Sequence, residues 1–401
     1  MNDEVSARSE PVVRSDIAII GGGMAGSTAA TVFGRSHKVV LVDPHSPYPP
    51  VFAADKIAGD QIRLLKSLDL FEPTIAAATP VSRVVNAQFG KVIERRAIEE
   101  YGIHYQTMVE AMRMQIPAGV VRVTGHAAGI ELSDNLQRVR LSDGREIEAR
   151  LVVLATGFSE VLRGKIGVAR RLLKENHSLS IGFDMKAKTG SAFEFPSLTY
   201  YGDRIADAVD YISIFPVRDG MRANLFVYRD PQDPWVRAFR RDPLGSIYAV
   251  MPGLRNFLPG FEITGAIQSR SMDLYTIENH LRPGAVLIGD ASQTSCPALG
   301  SGLSHLLTDI ERLQAIYLAA WFASPGIGSE KIAQFYADPA KVAVDAKALH
   351  GAHYRRAVST QTGFGWELHR RQVYWRRRLR GLAQSANPFD PARLSALPQQ
   401  S

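Results

Sequence analysis

The stretch 17-IAIIGGGMAGSTAATVFGRSHKVVLVD-43 decides how the chain is read. Ile17 to Ile20 is a short apolar run of the kind buried in a parallel sheet. Gly21, Gly23 and Gly26 then spell G-x-G-x-x-G. The first glycine permits a tight bend, the second lets a pyrophosphate approach bare backbone, and the third lets the following helix pack on the strand. Met24 and Ala25 open that helix, and Ser27, Thr28, Ala29 and Ala30 are small enough for it to lie close to the sheet. Its positive N-terminal end faces the phosphates. Lys38 to Val42 is the second strand, and Asp43 follows 20 residues after Gly23, where an acid meets a ribose hydroxyl. Strand, glycine turn, helix, strand and acid together predict dinucleotide binding; the alternative is a βαβ unit that only packs.

Composition bounds the rest. A chain of 401 residues, 45% hydrophobic, is long enough for two domains or one elaborated domain. The single cysteine, Cys296, excludes a disulfide framework and a dithiol couple and suits a reducing compartment. No apolar run approaches the ~18–20 residues of a membrane span. The N-terminus has no signal-peptide core, so a cytoplasmic location is expected. No Cys/His cluster suggests a metal site.

The net charge of +7 is local. From Ala340 onward there are eleven Lys/Arg against three Asp/Glu, concentrated in 369-HRRQVYWRRRLRG-381, which argues against a nucleic-acid footprint for the whole chain. As a helix, this segment places Leu368, Gln372, Trp375, Leu379 and Leu382 on one face. The plain expectation is a C-terminal helix docked through Trp and Leu with solvated arginines; the other is contact with an anionic membrane surface or an acidic partner.

Along the chain, residues 1–15 read as a disordered tail and 16–178 as the first part of a nucleotide-binding domain. Within the latter, 55–70 and 96–115 carry helical patterns. Strands follow at 119–132, and a hairpin spans 136–157 across the Asp143-Gly144 turn. Residues 179–283 alternate as strands, with a turn at Asp219-Gly220, and predict an antiparallel sheet able to cover a ligand. Residues 284–325 return to the buried-strand, glycine-turn, helix pattern. Residues 326–401 form a basic, helical C-terminal segment. The fold class expected is α/β: a Rossmann-like parallel sheet interrupted by an antiparallel substrate-covering sheet.

From about residue 15 to 320 the chain resembles the FAD-dependent monooxygenases with the para-hydroxybenzoate hydroxylase type of fold. Three blocks carry the likeness: G-x-G-x-x-G with Asp43, 151-LVVLATGFSEVLRGKIG-167, and 287-LIGDASQTSCPALGSGLSHLLTD-309. The resemblance implies noncovalent FAD. Asp290 would accept from a ribityl hydroxyl, and Pro297, Gly300, Gly302 and Leu303 would open a helix toward the flavin ring. Gly157 and Arg163 would belong to the middle motif. In 105-YQTMVEAMR-113, Gln106 resembles the family's pyrophosphate contact. The sequence also departs from the pattern. Thr156 stands where the family has Asp, Glu160 where it has Ser, Gln293 where His is common and Ser304 where Asn is common. The Thr156 change puts direct reduction by a bound nicotinamide in doubt, so NADH or NADPH would act directly or through a separate reductase.

The resemblance implies insertion of one oxygen from O2 into an organic small molecule, aromatic or polycyclic and apolar, through a flavin C4a-hydroperoxide. Tyr200, Tyr211, Phe215, Phe226 and Met272 would line the substrate pocket. The alternatives are a reductase of the geranylgeranyl type, a halogenase, or a non-catalytic flavin-binding component. Halogenases of this fold carry W-x-W-x-I-P, and the corresponding 211-YISIFPV-217 has no tryptophan. His104, His280 and His305 are acid–base candidates by residue type alone, and no catalytic residue or oligomeric state can be assigned.

Overall fold

A computed structural model describes residues 12–188, 192–218 and 220–386. Two sheets organise the chain. The first has seven strands. Val13–Ile20 lies at its centre, parallel to Val39–Asp43 on one side and to Glu146–Leu154 on the other. Ile17 to Ile20 pair with Val39 to Val42 and with Leu151 to Leu154, so three continuous apolar runs meet in the middle. Val121–Thr124 extends the sheet beyond Val39–Asp43, and Ala285–Leu287 pairs with Glu146–Leu154. The hairpin of Gln137–Leu141 with Glu146–Leu154 turns at Gly144, whose φ of +93° favours glycine. Helices Met24–Phe33, Tyr105–Met114 and Gly302–Arg312 bury their apolar faces against one side of this sheet. These are the strands and helices expected of a dinucleotide-binding unit.

The second sheet has nine strands and runs Phe261–Ile263, Ala169–Ala187, Gly220–Val227, Val209–Val217, Leu198–Tyr201, Thr79–Gln88, Lys91–Gly102, Lys56–Ala58, with Gln268–Glu278 also paired to Ala169–Ala187. It is antiparallel except where Leu198–Tyr201 runs parallel to Thr79–Gln88. It forms its own core with helices Pro234–Arg241 and Pro243–Val250.

Several expected boundaries change. Residues 96–102 are strand, the end of Lys91–Gly102, and the helix begins only at Tyr105. Residues 56–58 are also strand, ahead of helix Asp60–Ser67. The physical reason is a hairpin: Thr79–Gln88 and Lys91–Gly102 pair across Phe89 and Gly90, both at positive φ, and this pairing outweighs the helix-forming side chains of 96–102. Much of 56–102 therefore belongs to the covering sheet, although it lies inside the segment expected to build the nucleotide-binding domain. The covering sheet also starts earlier than 179, at Ala169. At the N-terminus, Val13 already pairs with Ile147, so the expected tail ends before residue 13; residues 1–11, and Asp219 of the expected turn, lie outside the described residues.

The C-terminal segment is helical: Ser329–Tyr336, Pro339–Thr360 and Phe364–Ala386. The last helix is oriented opposite to the plain expectation. Trp375, Leu379 and Leu382 are exposed, while Arg370 and Arg378 donate to the backbone carbonyls of Gln361 and Val92 and Arg377 stacks over Tyr201. The surface it meets offers carbonyl acceptors at Val92 of a strand and at Gln361 after the preceding helix, which arginines satisfy and leucines do not. Among the described residues, no helix is long and apolar enough to cross a membrane.

Candidate cofactor and substrate site

The glycine turn forms one end of a cavity of about 1110 Å³ lying between the two sheets. That is at the top of the ~300–1,000 Å³ range of ligand pockets, with room for a long cofactor and a second molecule. The three motif glycines answer different demands. Gly21 has φ +105°, and a Cβ there would lie 2.5 Å from the Ala155 carbonyl oxygen. A Cβ at Gly26 would fall 1.7 Å from the Gly21 carbonyl oxygen; Gly26 is buried helix–strand packing and does not line the cavity. At Gly23 the nearest atom to a Cβ is the Tyr48 hydroxyl at 3.3 Å. A side chain at Gly23 asks only the Tyr48 side chain to give by a few tenths of an ångström, and the space beside it is cavity.

Met24, Ala25 and Asp43 line the same end. Asp43 accepts from the backbone N–H of Gly22 and of His45 (2.5 and 2.8 Å) and from Arg113 (3.1 Å). Arg113, buried, also donates to the carbonyl oxygens of Gly22 and His45. The arginine thus clamps the glycine turn to the acid. A carboxylate has about four lone-pair sites, which leaves Asp43 capacity for a ribose hydroxyl. Gln106 is not part of the lining: its amide donates to the Tyr48 carbonyl at 2.8 Å. The neighbouring residue faces the turn instead. Tyr105 accepts from Met24 N–H at 3.4 Å, and burial pushes its phenol pKa up, keeping it neutral.

Thr156, Gly157, Asp290, Pro297, Gly300, Gly302 and Leu303 line the middle of the cavity. Gly157 (φ +58°) and Gly300 (φ +65°) would each point a Cβ into open space. Gln61 donates to the Gly300 carbonyl at 2.6 Å and fixes the turn ahead of helix Gly302–Arg312. Asp290 sits at the cavity wall. Burial raises its carboxyl pKa, with Arg270 and His305 pulling in the opposite direction. Arg163 is not part of the lining. Fully buried, it lies over the Tyr275 ring and donates to the Ala291 carbonyl, while Tyr275 donates to the Asp290 carbonyl at 2.6 Å. It holds the Asp290 turn from behind.

Tyr211, Phe215, Phe226 and Met272 line the far wall on the covering sheet. Tyr211 donates to the Ala298 carbonyl at 2.8 Å and packs on Phe226 with ring centroids 4.8 Å apart. Tyr200 does not join them. It points to the opposite side of its strand, into the second core, with its hydroxyl on Asp203. Ser180, Ser213 and Asn224 come to the wall from three adjacent strands, and Asn224 Oδ1 and Ser180 Oγ are buried without a partner.

A charged seam joins the two walls. Arg222 and Asp55, both buried, pair at 2.9 Å, and Arg222 also donates to Asp184 and Gln268. Asp55 in turn accepts from Tyr105 N–H. His104 hydrogen-bonds Asp184 at 2.9 Å, which raises its pKa against the opposing effect of burial. His280 packs on Tyr336, and His305 Nε2 lies 2.8 Å from an Asp345 carboxylate oxygen on the C-terminal side; neither lines the cavity. Sequence reasoning missed Arg113, Arg222, Arg270 and Asn224. Only Arg113 had a local signal, since it lies in the helix already singled out at 105–113.

The donor set fits FAD. Bare backbone and a helix N-terminus would suit a pyrophosphate, the acid Asp43 a ribose, and a second helix N-terminus with the nearby Asp290 carboxyl a flavin ring and its ribityl chain. Cavity-lining Thr156 Oγ1 and Ser301 Oγ are buried with no protein partner, so a bound molecule would satisfy them.

Residues 16–180 match the family model described as lycopene cyclase protein. The chain is 26% identical over 201 residues to 3-amino-4-hydroxybenzoate 2-monooxygenase PtmB3 of Streptomyces platensis, covering 47% of this chain and half of that protein. It is 23% identical over 337 residues to 3-demethoxyubiquinol 3-hydroxylase of Escherichia coli K12, covering 78% of this chain and 83% of the relative. The crystal structure of p-nitrophenol 4-monooxygenase PnpA from Pseudomonas putida DLL-E4 superposes with a TM-score of 0.72 over 92% of this chain and 95% of its own, at 15% identity.

Proposed function

We propose that this chain, which has the flavoprotein monooxygenase fold of the para-hydroxybenzoate hydroxylase type, is a FAD-dependent monooxygenase that hydroxylates an aromatic small molecule bearing a ring hydroxyl. One observation carries the reading: a single cavity runs from the Gly21–Gly26 turn to an aromatic wall on the covering sheet. The names of the relatives support the substrate class, since each describes a hydroxylase or monooxygenase acting on a ring compound.

Reduced FAD, when bound, supplies the activation of O2. The chain's own residues do the rest. The backbone at Gly23 and Met24 binds pyrophosphate, and Asp43 takes the ribose. Asp290 accepts from a ribityl hydroxyl. The N–H groups opening helix Gly302–Arg312 oppose negative charge on the reduced ring. The apolar wall of Phe215, Phe226 and Met272 excludes water, and Asn224 Oδ1 accepts a hydrogen bond from the substrate hydroxyl. NADH or NADPH is the electron source, directly or through a separate reductase, because Thr156 leaves no acid at the middle motif. A cytoplasmic location fits the one free, buried thiol of Cys296.

The test is product labelling. Purified protein, an NADH- or NADPH-driven reductant and a panel of phenols should give ring-hydroxylated product carrying one oxygen from ¹⁸O₂. Label only from water, or hydride transfer to an alkene with no oxygen consumed, would overturn the reading.

A further inference from the structure

We propose that the C-terminal helix Phe364–Ala386 is an interfacial anchor that lays its outward apolar stripe on an anionic lipid surface. The helix is amphipathic in an inverted sense. Phe364, Leu368, Trp375, Leu379 and Leu382 are 82, 45, 58, 61 and 52% exposed. At 100° per residue these five positions fall within roughly 60° of arc, so they form one stripe along the helix. The opposite side holds the helix to the body. There Arg378 donates to the Val92 carbonyl, Arg370 to the Gln361 carbonyl, Tyr374 packs on Phe89, and a Cβ at Gly381 would strike the Ile93 carbonyl. The attachment is polar and close, and among the described residues it leaves the apolar face uncovered.

The charge pattern selects the occupant. Residues 364–386 hold six arginines and one acid, Glu367. Arg380, exposed, lies farther round the helix from the stripe, 4.0 Å from Glu94 of the body. Arg371 and Arg376 are exposed on the two flanks of the stripe, Arg371 beside Glu367. Their long apolar stems let them reach phosphate while the stripe sinks between headgroups. Trp375 is the residue type that favours the boundary of headgroup and acyl chain. A second copy of this chain fits less well, because stripe-to-stripe packing would bring two sets of the same arginines together with one acid per helix. Nucleic acid fits less well again, since the outward centre is apolar and four of the six arginines, Arg370, Arg377, Arg378 and Arg380, have partners on the protein body. An apolar stripe of this size left open to water calls for a partner, and a lipid surface supplies both burial and countercharge.

The test uses the full chain and vesicles of phosphatidylcholine, with or without phosphatidylglycerol. The protein should co-sediment with the phosphatidylglycerol vesicles, release at high salt, and bind the neutral vesicles at least ten-fold more weakly. The double variant Trp375→Ser/Leu379→Ser should lose at least ten-fold in vesicle binding, with thermal stability and flavin content unchanged. The membrane-dependent blue shift of tryptophan fluorescence should vanish in Trp375→Phe. Three results would overturn the proposal. One is no binding to either vesicle. Another is binding undiminished in the double variant, which would assign it to arginines alone, as toward an acidic protein. The third is a dimer in solution that the double variant converts to monomer.

Discussion

The two walls of the cavity are built by different means. On the nucleotide side the surface is backbone: Gly21, Gly23, Gly157, Gly300 and Gly302, with two helix N-termini behind them. On the covering side it is side chain: Tyr211, Phe215, Phe226, Met272 and a buried Asn224. The difference teaches where each kind of recognition can change. A backbone wall binds features shared by all dinucleotides and is damaged by adding atoms. A side-chain wall would set the substrate and can be altered one residue at a time, each change reshaping the cavity locally.

The largest expected effect lies at the seam joining the walls. Arg222→Met would leave Asp55 buried and uncompensated, at a cost of about 3–5 kcal/mol. Chemical denaturation measures it, and a loss below about 1 kcal/mol would mean the walls are not held together through this pair. Next comes the packing glycine. With a Cβ due 1.7 Å from the Gly21 carbonyl oxygen, Gly26→Ala must push the helix off its strand and should lose about 3 kcal/mol of stability together with flavin. A Gly26→Ala protein as stable as wild type would show that the turn can relax.

Smaller effects separate the walls. Asp290→Ala should weaken FAD by about 1–3 kcal/mol, read by flavin titration of the apoprotein, with substrate affinity little changed at saturating flavin. Asn224→Val should do the converse. It removes a buried acceptor that has no protein partner, so stability should hold or rise. KM for a hydroxylated ring should increase about five-fold, given a net hydrogen bond of about 1 kcal/mol. Equal flavin loss in both variants would erase the distinction.

The smallest effect is a pH dependence at His104. Asp184 raises the pKa of His104 above 6.5, so the protonated form adds stability that is complete below pH 6.5 and lost as pH rises through the higher folded value. Asp184 is the opposite case. Burial raises its pKa, but His104 and Arg222 outweigh that and hold it below 3.8, so its share is lost only in strong acid. The stability difference between wild type and His104→Asn should therefore shrink as pH rises above 6.5. A difference independent of pH would remove the charged pair from the account.

The same division governs what could be read in the sequence. The nucleotide wall was legible because each requirement falls within a few residues: an apolar run, a glycine with nowhere to put a Cβ, an acid at a fixed distance. The hairpin Thr79–Gln88 and Lys91–Gly102 was not. The segment around Arg95, Arg96 and Ala97 is made of good helix formers, and only its partner strand makes it extended. Arg222 gave no signal either, since its partner Asp55 is 167 residues away. Tyr200 shows the limit of composition, for an aromatic residue on the right sheet faced the wrong way. In the C-terminal helix the periodicity identified the stripe at Leu368, Trp375 and Leu379, and the direction it faces depends on distant partners such as the Val92 carbonyl and Tyr201.

Two purified proteins test whether bare backbone at Gly23 receives FAD. Wild type should be yellow, with stoichiometric FAD released into the supernatant by acid precipitation. Gly23→Val should be colourless yet folded, because its side chain enters cavity and not core: the nearest obstacle to its Cβ is the Tyr48 hydroxyl at 3.3 Å. A folded Gly23→Val protein with a full complement of FAD, or a wild-type protein unable to take up FAD, would contradict the account.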